Sequence, residues 1–180
     1  MKAARLTGAL LAAALVLPGC LISQEDHIIQ PLPPAMNQPP FIREDKLQPP
    51  SRFVTVRNGA DCPNLTFLAP VSDPDVGDTL IYNFYVDADV NPNFVKQATL
   101  ANNGLPDRSD PATYDVSFAA PGPLQQPGDH VVEVLVSDGA LVNRDPQPRP
   151  VTLLDGGTAQ DPTYAVTYAW IVTVVAGPCP

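Results

Sequence analysis

The stretch SDPDVGDTLIYNFYVD, residues 72–87, sets three aspartates directly ahead of an alternating apolar run. Leu80, Tyr82, Phe84 and Val86 occupy alternate positions, so a strand over 79–87 would turn all four to one face. The turn ahead of it has its own chemistry. Asp-Pro initiates turns, aspartate side chains accept hydrogen bonds from their own backbone two residues on, and Gly77 tolerates positive φ. The same carboxylates, Asp73, Asp75 and Asp78, are also the hard oxygen donors that Ca²⁺ prefers. Their spacing is not that of an EF-hand loop. A strand-starting turn and a cation site are both consistent with the stretch.

Working outward, the alternation recurs. Tyr114, Val116 and Phe118 share one face, as do Val132, Val134 and Val136, and Trp170, Val172 and Val174. Ile171 and Val175 make the second face of that last run apolar too. Strands are expected over 53–57, 65–69, 79–87, 94–100, 113–118, 130–137 and 164–175. About seven short strands, each with a buried face, predict an all-β fold, an antiparallel β-sandwich over residues 51–180. The 23 prolines agree, because an interior proline costs a helix about 3 kcal/mol. The net charge of −9 repels phosphate backbones and argues against nucleic-acid binding.

The first twenty residues, MKAARLTGALLAAALVLPGC, carry Lys2 and Arg5 ahead of an apolar run from Leu6 to Leu17. That run is shorter than the ~20 residues a membrane-spanning helix needs, so a secretory signal over 1–19 fits better. Leu17-Pro18-Gly19-Cys20 resembles the lipobox of bacterial lipoproteins, with Pro18 departing from the usual small residue. The resemblance implies cleavage before Cys20, acylation of its thiol and new N-terminus, and membrane attachment. Leu21 in place of Asp favours the outer membrane by the sorting rules of enteric bacteria. Cysteine number agrees: of three, lipidation of Cys20 leaves Cys62 and Cys179 to pair in an oxidising compartment. Residues 20–50 hold Pro31, Pro33, Pro34, Pro39, Pro40, Pro49 and Pro50 and read as a semi-rigid tether.

Two segments, SDPDVGDTLIYNFYVD and PGDHVVEVLVSDG, resemble PKD-type immunoglobulin-like domains, relatives of the cadherin and fibronectin modules. The matching positions are Asp73, Asp75, Asp78, Tyr82, Phe84, Gly128, Val132, Val136, Asp138 and Gly139. The chain departs at His130, where the family usually has Tyr, at Phe84, where Trp is common, and in the long insert 140–163. In a sandwich of that connectivity the loops after the second and sixth strands share one end. Asp73, Asp75, Asp78 and Asp138 would then meet at one tip as a possible Ca²⁺ site, with Cys62 and Cys179 at the other end.

No pattern for nucleophilic, metal-dependent or dinucleotide chemistry occurs, so no enzyme activity and no required cofactor are expected. His130 opens a strand in the inward register and reads as structural. The insert, with Arg144 and Arg149, suggests a small hairpin arm near Val151–Gly157, either a partner-binding loop or a tolerated insertion. The expected role is a lipid-anchored cell-envelope protein that presents its domain to an envelope or surface protein. The alternatives are a Ca²⁺-dependent adhesion module and a carbohydrate-binding accessory module using Tyr85, Tyr164 and Tyr168 as an outward aromatic platform.

Overall fold

The computed structural model of the chain describes residues 36–108, 112–119, 121–153 and 156–179. The expected signal, Cys20 and the first part of the expected tether lie outside these residues. Strands build the fold: β1 (Phe41–Ile42), β2 (Phe53–Arg57), β3 (Leu65–Leu68), β4 (Val71–Ser72), β5 (Leu80–Val86), β6 (Lys96–Leu100) and β7 (Thr113–Val116) come first. After them come β8 (Gly128–Ser137), β9 (Leu141–Val142), β10 (Asp145–Pro146), β11 (Arg149–Thr152), β12 (Thr158–Asp161) and β13 (Ala165–Val175). Among the described residues the one helical turn is a 3₁₀ turn, Glu44–Lys46.

One layer is a five-stranded sheet in the order β2-β13-β8-β5-β6. The facing layer is built from the β3–β7 and β1–β4 pairs, linked by a bridge between Gln48 and Leu68. The expected alternation is realised. Leu80, Tyr82, Phe84, Val132, Val134, Val136, Trp170 and Val172 are fully buried between the layers. Cross-strand register sets them side by side, Tyr82 opposite Val136 and Trp170 opposite Val132. Phe67 of β3 meets Trp170 of β13 edge-on at 5.2 Å, and Phe84 lies 5.8 Å from Tyr114 of β7. Burying each such side chain contributes about 1.5–3 kcal/mol, offset in part by lost rotamer freedom.

Two expectations about the frame need correcting. The sheet is mixed rather than wholly antiparallel, because β2 runs parallel to β13, Phe53 opposite Ile171 and Arg57 opposite Val175. Also, the packed domain does not begin at Ser51. Phe41 and Ile42 pair with Ser72 and Val71, Leu47 is buried in the core, and Gln48 exchanges backbone hydrogen bonds with Leu68. The Pro49 carbonyl, after a cis Gln48–Pro49 bond, accepts the Trp170 indole N–H at 3.0 Å. The chain thus borders one layer, crosses at 49–52 and enters the other as β2, which explains the parallel pairing. Proline-rich chain can do this because edge strands leave one side of the backbone without ladder bonds.

The insert folds as two hairpins. The expected arm is β11–β12, with Thr152 opposite Thr158; Leu154 and Asp155 lie outside the described residues. The second hairpin, β9–β10, turns through Asn143 at φ 58°, a left-handed conformation that asparagine tolerates in two-residue turns. At the far end Cys62 and Cys179 are joined as a disulfide, their Cα atoms 5.1 Å apart.

Candidate functional site

The aspartate turn folds on its own side chains first. Asp73 Oδ1 accepts the Asp75 amide at 2.9 Å, and the Asp78 amide donates to the Asp75 carbonyl at 2.9 Å. Gly77 does not need its freedom here: it is not left-handed, and a side chain there would meet open space. Asp73 is fully buried and Asp78 nearly so, whereas Asp75 is half-buried and accepts the Gln38 backbone amide.

Asp138, at the end of β8, is buried beside them. Its Oδ1 accepts the Tyr164 amide at 2.7 Å, and its Oδ2 accepts Asn37 Nδ2 at 2.9 Å. The expected meeting of the two loops therefore occurs for Asp73, Asp78 and Asp138, close enough that the Asp78 charge raises the pKa of both Asp73 and Asp138. Burial pushes the Asp73 carboxyl up to about 6, helped by the charges of Asp78 and Asp138 and opposed by the Asp75 amide and Arg108. Burial likewise raises Asp138, with the Asp78 charge adding to it and Tyr164, Asn37 and Arg149 resisting.

Sequence reasoning missed the groups that hold this cluster together. The buried Arg108 donates to the carbonyls of Leu105 and Asp78, both at 3.0 Å, with Nη2 3.7 Å from Asp73 Oδ2. Arg149, from the insert, reaches Asp78 Oδ1 at 2.6 Å and Asp161 Oδ2 at 3.2 Å. Asn37 also donates to the Pro162 carbonyl at 2.8 Å and accepts from Arg149. Arg149 stood out in the sequence as one of the insert's two arginines, but nothing there tied it, Arg108 or Asn37 to these aspartates.

This donor set fits poorly with Ca²⁺, which wants six to eight oxygens. Both Asp138 oxygens are taken by amides and one Asp78 oxygen by a guanidinium, which leaves Asp73 Oδ2 and Asp78 Oδ2 as the carboxylate oxygens of this cluster that are buried without a hydrogen-bond partner. Among the described residues no group of three or more His, Cys, Asp or Glu is arranged to hold a metal ion. Arg108 and Arg149 supply the positive charge instead.

The remaining candidates are engaged too. His130 faces inward, opposite Val172, with Nδ1 2.7 Å from Asp87 Oδ2 and Nε2 2.8 Å from the Gln126 carbonyl. Since a carbonyl only accepts, both ring nitrogens serve best as donors, which is the imidazolium form. Burial lowers its pKa, but the Asp87 and Gln126 hydrogen bonds and the Asp87 and Asp129 charges outweigh that, and the net shift is upward. Asp87 uses its other oxygen to accept the Val131 amide at 2.8 Å.

The aromatic platform is corrected as well. Tyr85 is buried under the β9–β10 hairpin, the Arg144 guanidinium 4.5 Å above its ring and paired with Glu133. Tyr168 pairs with the inward Val134 and packs edge-on to Trp170 at 4.9 Å, and Tyr164 is half-buried. Arg144 and Arg149 thus face the domain's own acids and rings. Compared with protein-family models, with curated proteins and with solved structures, the chain matches none.

Proposed function

We propose that the chain is a lipid-anchored protein of a bacterial cell envelope, most simply the outer membrane, that presents one immunoglobulin-like domain for binding another envelope or surface protein. The observation that carries it is the cysteine pairing. With Cys62 bonded to Cys179, Cys20 is the one cysteine left over, and it stands at the end of an apolar export-type segment. A disulfide fits an oxidising compartment, and an odd cysteine fits acylation. Two or more acyl chains attach a protein stably, since each buried CH₂ contributes ~0.8 kcal/mol.

The immunoglobulin-like reading draws on connectivity. The first strand borders one layer, its continuation joins the last strand of the other in parallel, and the two segments that resemble PKD-type domains form the central β5 and β8. The arginine-filled acidic tip favours a structural role for the aspartates over calcium-dependent adhesion. That rival keeps one point of support, the two unbonded carboxylate oxygens, and unchanged melting at millimolar Ca²⁺ would remove it. The buried Tyr85 likewise weakens the carbohydrate-binding reading.

The anchor is tested by Cys20→Ala. The variant should leave the membrane fraction and carry no radiolabelled palmitate. Retention in washed membranes, or undiminished labelling, would overturn the reading.

A further inference from the structure

We propose that the free edge of β2 is a docking site for an extended segment of a partner protein, which adds to the sheet as a further strand. This deepens the protein-binding reading and rests on it. Strand β2 is the outermost strand of its sheet. Its residues alternate in where their backbone groups point. The Val175 carbonyl accepts the Asn58 amide, and the Ile171 amide donates to the Arg52 carbonyl. By the parallel ladder, Val54 and Val56 therefore turn their N–H and C=O groups toward β13, and Phe53, Thr55 and Arg57 turn theirs outward.

Phe53 is closed off by its neighbour. Ser51 Oγ accepts the Phe53 amide at 3.2 Å and donates to the Phe53 carbonyl at 2.7 Å. Thr55 and Arg57 have no such cap among the described residues, so the open edge is confined to one short stretch. That stretch lines a groove of about 430 Å³ beside the disulfide, walled by Val56, Leu65, Phe118 and Cys179. The Arg57 side chain is exposed at its rim and is in no ion pair among the described residues.

These features specify the occupant. Unpaired backbone donors and acceptors call for another backbone, an apolar wall calls for alternate apolar side chains, and an unpaired guanidinium calls for a carboxylate. Thr55 to Arg57 spans roughly 7 Å at ~3.3 Å per residue, so about three residues of the partner are read. A second copy fits worse. A two-fold pairing about Thr55 would set Arg57 opposite Phe53, whose edge groups Ser51 already holds, and it would bring two acidic domains together.

The test uses the whole chain carrying Cys20→Ser, so that no lipid is present, and a capped heptapeptide of sequence TVEVTVT as probe. Amide exchange followed by NMR should slow at least ~10-fold at Thr55 and Arg57 at saturating peptide, while Val54 and Val56, already bonded to β13, stay as they were. Arg57→Glu should weaken binding ~5–10-fold, and replacing the probe's glutamate by lysine should restore it. Thr55→Pro removes an outward donor without touching the β13 ladder and should abolish binding; if it fails to fold, the Arg57→Glu charge swap decides alone. An alternately N-methylated probe that binds equally well, binding that leaves Thr55 and Arg57 exchange unchanged, no binding at millimolar peptide, or a dimer forming without peptide would each overturn the site. Those results would leave the Cys20-dependent anchoring untouched, so the two proposals fail separately.

Discussion

Asp73→Asn tests whether the acidic tip costs stability at neutral pH. Asp73 is fully buried, its Oδ2 has no hydrogen bond, and its pKa is pushed up to about 6 from 3.8. The folded chain therefore holds a proton that the unfolded chain releases over about pH 4–6, and stability falls as pH rises through that window. The full contribution is about 3 kcal/mol, of which roughly half is lost between pH 5 and 7.5. The raised Asp138 acts in the same direction. His130, also raised, stabilises below its unfolded pKa and loses that contribution as pH rises through its folded value, again the same sign. Asp45, lowered by Arg43, and Asp107, lowered by Ser72 and Arg43, act the other way and at more acid pH. Asparagine keeps the acceptor for the Asp75 amide but does not titrate. Urea denaturation followed through Trp170, the only tryptophan, at pH 5, 6 and 7.5 with the disulfide intact measures the effect. The wild type should be more stable at pH 5, and the variant should lose about 1–2 kcal/mol less between pH 5 and 7.5. Equal slopes, or a wild type that gains stability toward pH 7.5, would refute the reasoning.

Three further outcomes follow from the packing. Replacing Cys62 and Cys179 together by Ala removes a cross-link between residues 117 apart and should cost up to about 4–5 kcal/mol by the chain-entropy argument, read from denaturation midpoints. Gly139→Ala would place a Cβ 2.5 Å from Thr163 Cγ2, whereas at Gly77 nothing lies within 4 Å; the first should destabilise by about 1–3 kcal/mol and the second by well under 1. Asn37→Ala removes donors to Asp138 and Pro162 and should cost about 1–3 kcal/mol, with new protease cuts appearing in 36–50 at low protease concentration.

Much of the fold was legible because its central strands are half-buried, and a half-buried strand writes its period into the sequence. β2 and the apolar faces of β5, β8 and β13 are found where alternation put them. The paired strands β1 and β4 were not legible, since two residues carry no period. The boundary at Ser51 failed for a related reason. Proline density is shared by a solvated tether and an edge strand, and tertiary contacts such as the burial of Leu47, the Gln48–Leu68 backbone bonds and the bond from Trp170 to the Pro49 carbonyl separate them.

The acidic tip shows why composition alone misreads charge. Three aspartates and the loop after β8 were identifiable, because turn chemistry and topology both placed them there. Their partners were not: Asn37 lies 101 residues from Asp138, and Arg149 lies 71 from Asp78. A cluster of buried carboxylates needs positive charge, and a sequence shows the demand without showing who meets it. Here Arg108 and the insert's Arg149 meet it, Arg149 bonding Asp78, Asp161 and Asn37 at once. The insert therefore has a reason to exist before any partner is invoked, because its β11–β12 hairpin carries the guanidinium that closes the tip. At the opposite end, beside the disulfide, the exposed Arg57 is in no ion pair among the described residues, so there a guanidinium is left unmatched by the domain's own acids.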